Sequence, residues 1–144
     1  MPVEFPPEKK EDALALLAQP VLARLATARR STLQPHVVPV WFLWDGESIW
    51  MSAFSSTRKI KDLLSNSRCA VLIEPKEPGS LQAVLLEGLA EVVEEPRGLV
   101  RDLSVKIYTL YMGAEGARAA EPQSWAVDAE NRLVRLKPQK VYVW

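Results

Sequence analysis

The sequence predicts a mainly β chain with flanking helices, arranged as an antiparallel barrel of about six strands. Three observations point there. Short apolar runs, VLARLAT, HVVPVWFL, SIWMSA, RCAVLIE and LQAVLLEGLAEVVEE, recur along the chain with polar turns between most of them. Asp45-Gly46 between two such runs is a hairpin turn signal, because glycine supplies the positive φ that a tight turn needs. Repeated strand–helix alternation is absent, and neither G-x-G-x-x-G nor G-K-[ST] occurs, which argues against a doubly wound parallel sheet or a P-loop. Closing hairpin-linked strands into a barrel removes exposed edges.

Composition bounds the function. At 144 residues the chain is read as one domain, 1–144, long enough to bury a core without disulfides. It is 48% hydrophobic and 25% charged, an ordinary globular balance. Eighteen basic residues offset eighteen acidic ones, so nothing advertises nucleic acid or an anionic membrane as a partner. The single cysteine, Cys69, excludes an internal disulfide and a cysteine metal cluster, and its setting in RCAVLI reads as a buried, inert strand thiol. The opening MPVEFPPEKKED lacks an apolar signal core, and no run nears the roughly twenty apolar residues of a membrane span. A cytoplasmic location is expected.

Taken in order, EKKEDALALLA has acidic residues in its first turn and a Leu14, Leu17, Ala18 stripe, a helix stopped by Pro20. VLARLAT (21–27) is a strand and ARRSTLQ a polar turn. HVVPVWFL (36–43) reads as a strand covered on both faces. Pro39 inside it cannot donate to a ladder, so an edge, a bulge or a ligand is expected there. SIWMSA and RCAVLIE (68–74) are further strands, and LQAVLLEGLAEVVEE (81–95) is a long one whose Gly88 marks a bulge or barrel corner. Residues 96–112 change to helical period, with Leu99, Leu103, Ile107, Leu110 and Tyr111 in a stripe, Pro96 near the start and Gly113 just beyond. GAEGARAAEPQS is expected to be a loop or frayed turn. WAVD and RLVRLK are expected to form a last hairpin, with KVYVW closing the chain.

The stretch with chemistry is SAFSSTRKIKDLLSN (52–66). Thr57 or Ser56 suits a helix N-cap, and Ile60, Leu63 and Leu64 give one apolar face. Arg58 and Lys59 occupy the first turn, where the helix dipole already places positive charge. Hydroxyls, free amides, a guanidinium and an ammonium together suit a phosphate. A solvated helix start is the alternative.

The pieces PVLARLAT, QPHVVPVWFLWDGESIWMSA and STRKIKDLLSNSRCAVLI, spanning residues 20–74, resemble the pyridoxamine 5'-phosphate oxidase-like family, the flavin-binding split barrels. The likeness extends through VLLEGLAEVV and RLVRLKPQKVYVW. It implies a six-stranded antiparallel split β-barrel and an FMN-dependent oxidoreductase acting by hydride transfer through the flavin. It also implies a homodimer with the cofactor between subunits, and a small-molecule substrate or nicotinamide donor against the exposed ring face. By resemblance, Val38, Pro39, Val40 and Trp41 in the run to Leu43 line the flavin, and Ser52 and Ala53 touch its ribityl chain or ring. Thr57, Arg58 and Lys59 take the phosphate, and Gln82 lies near a position that reaches the neighbouring subunit's site.

A sister group uses a deazaflavin coenzyme on the same barrel; the adjacent Arg58-Lys59 pair favours FMN. A non-catalytic flavin or haem binder is a further alternative, and a plain interaction module leaves the basic helix start unexplained. The family's N-L and N-P-R stand here as Asp62-Leu63 and Asn66-Ser67-Arg68. The terminal KPQKVYVW lacks the histidine of the R-x-H-like substrate motif, so oxidation of pyridoxamine phosphate itself is not expected. The lone His36 has no partner of a nucleophile motif and reads as structural. No paired carboxylates or metal ligands stand out. Among five tryptophans, Trp125 and Trp144 are the candidates to wall a substrate pocket, with core or interface packing the alternative.

Overall fold

A computed structural model of the chain describes residues 2–144. A 3-10 turn leads into helix α1 (Lys10–Leu17), followed by β1 (Ala23–Ala28), β2 (Pro35–Val40), β3 (Leu43–Trp44) and β4 (Ile49–Phe54). Then come α2 (Arg58–Ser65), β5 (Arg68–Ile73), β6 (Val84–Val93), α3 (Arg97–Ala117), α4 (Ala120–Val127) and β7 (Asn131–Val143). The strands form one sheet in the order β2-β1-β5-β6-β7-β4-β3, curled into a half-barrel, and every pairing is antiparallel. This is the split-barrel fold. Among the described residues no helix is long and apolar enough to cross a membrane.

Seven strands replace the six expected. The run 36–43 does not stay in one strand: it breaks at Trp41 and Phe42, and Leu43–Trp44 pairs separately with β4. Nor is it covered on both faces. β2 is an edge strand with alternating exposure, and Val37 is 63% accessible, so an edge is what accommodates Pro39. Asp45 closes the β3–β4 turn: its Oδ1 accepts the amides of Glu47 and Ser48 at 2.8 and 2.7 Å, and its Oδ2 accepts the Trp50 indole N–H at 2.8 Å.

The C-terminal third departs most from expectation. GAEGARAAEPQS and WAVD are mostly helical, forming the end of α3 and all of α4, so a helix and not a strand comes immediately before β7. Gly113, at φ 78°, is where α3 breaks, a conformation an L side chain resists. RLVRLK and KVYVW join into one 13-residue strand, carried past Pro138 by a bulge opposite Glu87 and Gly88. A Cβ on Gly88 would lie 2.5 Å from the Lys137 carbonyl oxygen, so glycine is required there by close backbone approach.

Three apolar stripes are rotated from their sequence positions. α1 buries Ala13, Leu16 and Leu17 rather than Leu14 and Ala18. α3 buries Val100, Ser104, Ile107 and Tyr108, leaving Leu99 and Leu110 exposed. α2 buries Ile60, Asp62 and Leu63 and exposes Leu64, because a carboxylate surrounded by donors occupies its inner face. The main core, with Phe42, Leu25, Ile49, Met51, Val71 and Leu86, fills the concave side; each such side chain contributes about 1.5–3 kcal/mol on burial. A smaller cluster under α3 and α4 joins Tyr108, Ala117 and Ala126 to Trp41 and Trp125. Cys69 is buried in β5, as expected, and desolvation pushes its thiol up to about 12, which disfavours the thiolate.

Candidate functional site

A cavity of about 440 Å³ opens where the end of β2, the second half of β4, the start of α2 and the α3–α4 pair meet. Pro39 and Val40 at the end of β2, Trp41 just beyond it, and Ser52, Ala53 and Phe54 at the end of β4 form its wall. Thr57 and Lys59 border it from α2, Tyr108 from α3, Trp125 from α4 and Asn131 from the first position of β7, with Leu22 ahead of β1.

Of the ten residues singled out in the sequence, seven line this one cavity: Pro39, Val40, Trp41, Ser52, Ala53, Thr57 and Lys59. Val38, Arg58 and Gln82 do not. Val38 packs against the core. Gln82 is exposed, its backbone N–H donating to the Trp144 carbonyl at 2.8 Å. Trp125 lines the cavity, whereas Trp144 stands 49% exposed and stacks on Tyr142 at 6.4 Å. His36 sits opposite Thr27 on the edge strand and is not among the lining residues.

The two cations of the α2 start have different surroundings. The Asp62 carboxylate is fully buried and accepts from Thr27 Oγ1 at 3.0 Å and Arg29 Nε at 3.2 Å. It also lies 3.6 Å from Arg58 Nε, one turn away. Arg58 is thereby held toward β1. Lys59 has no carboxylate within ion-pairing distance among the described residues, and half-burial without a counter-charge pulls its ammonium below the usual lysine range. Thr57 takes the N-cap position, but its hydroxyl turns back to donate to Phe54 O at 2.7 Å instead of capping. The first intrahelical bond runs from Lys61 N to Thr57 O, so the amides of Arg58, Lys59 and Ile60 have no helical acceptor.

The opposite wall is aromatic. Trp41 stacks on Tyr111 at 4.9 Å with planes 6° apart, and meets Tyr108 edge-on at 6.5 Å; Tyr108 in turn meets Trp125 at 5.7 Å. Tyr111 fixes this wall: its hydroxyl accepts the Phe42 amide at 3.1 Å and donates to Val21 O at 2.8 Å, pinning the break between β2 and β3. Asn131 is buried, and both its amide hydrogens are committed, to Ser104 Oγ at 2.9 Å and Ala126 O at 3.2 Å. Sequence reasoning missed Leu22 and Phe54, which flank readings it did make, and also Tyr108 and Asn131. A stripe shifted by one position on α3 brings Tyr108 inward, and nothing in the sequence marks Asn131.

Among the described residues no group of three or more potential ligands is placed to hold a metal ion. The donor set instead fits a flat phosphate-bearing cofactor. The volume lies in the range of about 300–1,000 Å³ usual for ligand sites, the walls are apolar, and one unpaired ammonium faces in beside free helix amides.

The sequence profile described as pyridoxamine 5'-phosphate oxidase matches residues 10–144. No match is found among curated proteins. An F420 reductase of known structure is similar in fold at 24% identity and TM-score 0.73, covering 89% of this chain and 94% of its own. A conserved hypothetical protein from Mycobacterium tuberculosis is 23% identical with TM-score 0.78, covering 94% and 83%. A FAD-binding protein from Mesorhizobium loti is 20% identical with TM-score 0.67, covering 92% and 91%. At these identities the structural likeness speaks for the fold.

Proposed function

The chain belongs to the pyridoxamine 5'-phosphate oxidase family, and from that premise we propose that it is an FMN-dependent oxidoreductase acting on a small organic substrate. The observation that carries the reading is Lys59: a half-buried ammonium without a counter-ion, lining an otherwise apolar cavity at a helix start. Its cost of desolvation is offset when an anion arrives, and three free amides at the start of α2 add donors to the same anion.

Lys59, Thr57 and the first turn of α2 hold the phosphate, Ser52 and Ala53 flank the ribityl chain, and Pro39, Val40 and Trp41 present the flat wall for the ring. Bound there, a flavin supplies hydride transfer at its own N5. The chain's residues bind, orient and exclude water. Exposed Leu22, Val37 and Pro39 beside the cavity form an apolar edge that suits a second copy, and a homodimer with the site between subunits is part of this reading.

A deazaflavin coenzyme is the second reading, favoured by one observation. Asp62 engages Arg58, so a single cation rather than an adjacent pair faces the cavity, and a singly charged phosphodiester is then better matched than a dianionic monoester. Absorbance of the purified protein, mass spectrometry of what it releases, and parallel titration with FMN and the deazaflavin decide. A colourless protein that takes up neither sinks the proposal.

A further inference from the structure

The cavity has a second feature that phosphate binding leaves unexplained, the rings supplied by α3 and α4. We infer that Tyr108 and Trp125, beside the Trp41 wall that takes the cofactor ring, form a separate subsite for an uncharged, flat, unsaturated molecule, and that this subsite rejects phosphorylated or carboxylated substrates. The inference deepens the cofactor reading above and rests on it, since it assigns Lys59 to the cofactor.

Charge is the first argument. Lys59 is the one ionisable side chain of ordinary cationic or anionic character among the cavity's lining residues. Once a cofactor phosphate occupies it, a second anion finds no counter-charge on these walls. Arg58 does not supply one: it is not among the lining residues, and its Nε lies 3.6 Å from the buried Asp62. An anion drawn from water into such a site loses its hydration without replacement.

Shape and polarity give the second. Tyr108 and Trp125 meet at 84°, and Trp41 meets Tyr108 at 70°, so the rings present faces and edges at near right angles, a lining suited to a planar guest. The polar groups here are neutral. Asn131 has spent both amide hydrogens on Ser104 and Ala126, which leaves it an acceptor oxygen to offer. Tyr108 offers a phenol O–H with the Ser52 and Ser104 hydroxyls beside its oxygen, and burial outweighs them to push the phenol above its usual range, so it stays protonated at neutral pH. A neutral molecule with a donor and an acceptor at its rim satisfies both.

The test compares 2-naphthamide with 2-naphthoate, the same ring with and without charge, by calorimetry on FMN-loaded protein, with pyridoxamine 5'-phosphate as a third ligand. The expected result is binding of 2-naphthamide alongside FMN, about tenfold or more tighter than 2-naphthoate. Trp125→Ala weakens the amide about tenfold while FMN affinity stays within about twofold. Should that variant fail to fold, Tyr108→Phe keeps the ring, removes the donor, and weakens the amide about threefold to tenfold.

Equal or tighter binding of 2-naphthoate or pyridoxamine 5'-phosphate overturns the inference. So does displacement of FMN by the amide, or no binding of the amide at all. If FMN does not load, the cofactor reading fails on its own. The amide-to-naphthoate comparison on Lys59→Ala protein, whose cavity then lacks the ammonium, still decides the subsite.

Discussion

Arg58 and Asp62 stand one helical turn apart on α2, guanidinium Nε 3.6 Å from carboxylate oxygen, and of the two cations at the helix start only Lys59 lines the cavity. Lys59, the next residue, is left unpaired and half-buried. The two cations therefore separate by mutation. Lys59→Ala should weaken FMN binding by about 10- to 100-fold, the scale of one lost hydrogen bond to a charged group, whereas Arg58→Ala should cost less than about threefold. Fluorescence titration measures both. The pH dependence has a defined sign: the ammonium form binds, and its pKa lies below the ordinary 10.5, so affinity falls as pH rises toward that value. Lys59→Arg, always charged, should flatten the fall.

Asp62 carries a structural load as well. It accepts from Thr27 and Arg29 and faces Arg58, joining α2 to β1. Asp62→Ala strips the carboxylate from three donors. Breaking a buried pair costs about 3–5 kcal/mol, and the lower end applies because both guanidiniums are themselves partly exposed. A drop in melting temperature of roughly 6–12 °C is expected. Asp62→Asn keeps an acceptor for Thr27 and should lose less. Thermal melts in which Asp62→Ala matches the parent protein would remove this role.

Local chemistry made some of this legible from the chain and long-range geometry hid the rest. Asp45-Gly46, Gly88 and Pro39 each announce a backbone requirement, and they sit respectively at a turn, a bulge and an edge strand. The residues 52–59 carried the cavity's cationic end because hydroxyls, amides and cations adjoin in sequence. Asp62 was opaque: a carboxylate on a helix reads as solvent-facing until Thr27 and Arg29, 35 and 33 residues away, are brought to it. The same holds for 113–127, where small residues have weak strand and helix signals and α4 is held by packing on α3. Its capture by Trp125 against Tyr108 is a tertiary fact. RLVRLK and KVYVW read as separate segments in the sequence, and a bulge past Pro138 joins them into the one strand 131–143.

Gly88 gives a clean steric prediction. An alanine Cβ would sit 2.5 Å from Lys137 O and 3.1 Å from Gln139 N, both backbone atoms that cannot rotate away. Gly88→Ala should cost about 1–3 kcal/mol by overpacking, read as a shifted midpoint in urea denaturation. Gly79, with nothing within 4 Å of its added Cβ, is the control, and Gly79→Ala should move the midpoint little.

Tyr111 links the cavity wall to stability at alkaline pH. Burial pushes its phenol from 10.0 up to about 12, against a smaller opposing effect of the Phe42 amide. The folded chain therefore keeps a proton that the unfolded chain releases, so stability is full below pH 10 and falls as pH rises from 10 to 12. The fall attributable to Tyr111 is at most about 2.7 kcal/mol, and less because the ring is partly exposed. Cys69, raised from 9.0 to about 12, adds its own loss from pH 9 upward and must be separated by Cys69→Ala. Tyr111→Phe should remove the tyrosine's share of the alkaline slope. At neutral pH it should instead destabilise by about 1–3 kcal/mol, since the Phe42 amide loses its acceptor and Val21 O its donor. The ring that stacks on Trp41 survives in the phenylalanine, so FMN affinity should drop by less than about threefold. Urea midpoints at pH 7, 10 and 11, with FMN titrations beside them, check all three. An unchanged alkaline slope in the variant means that the hydroxyl is not the proton holder.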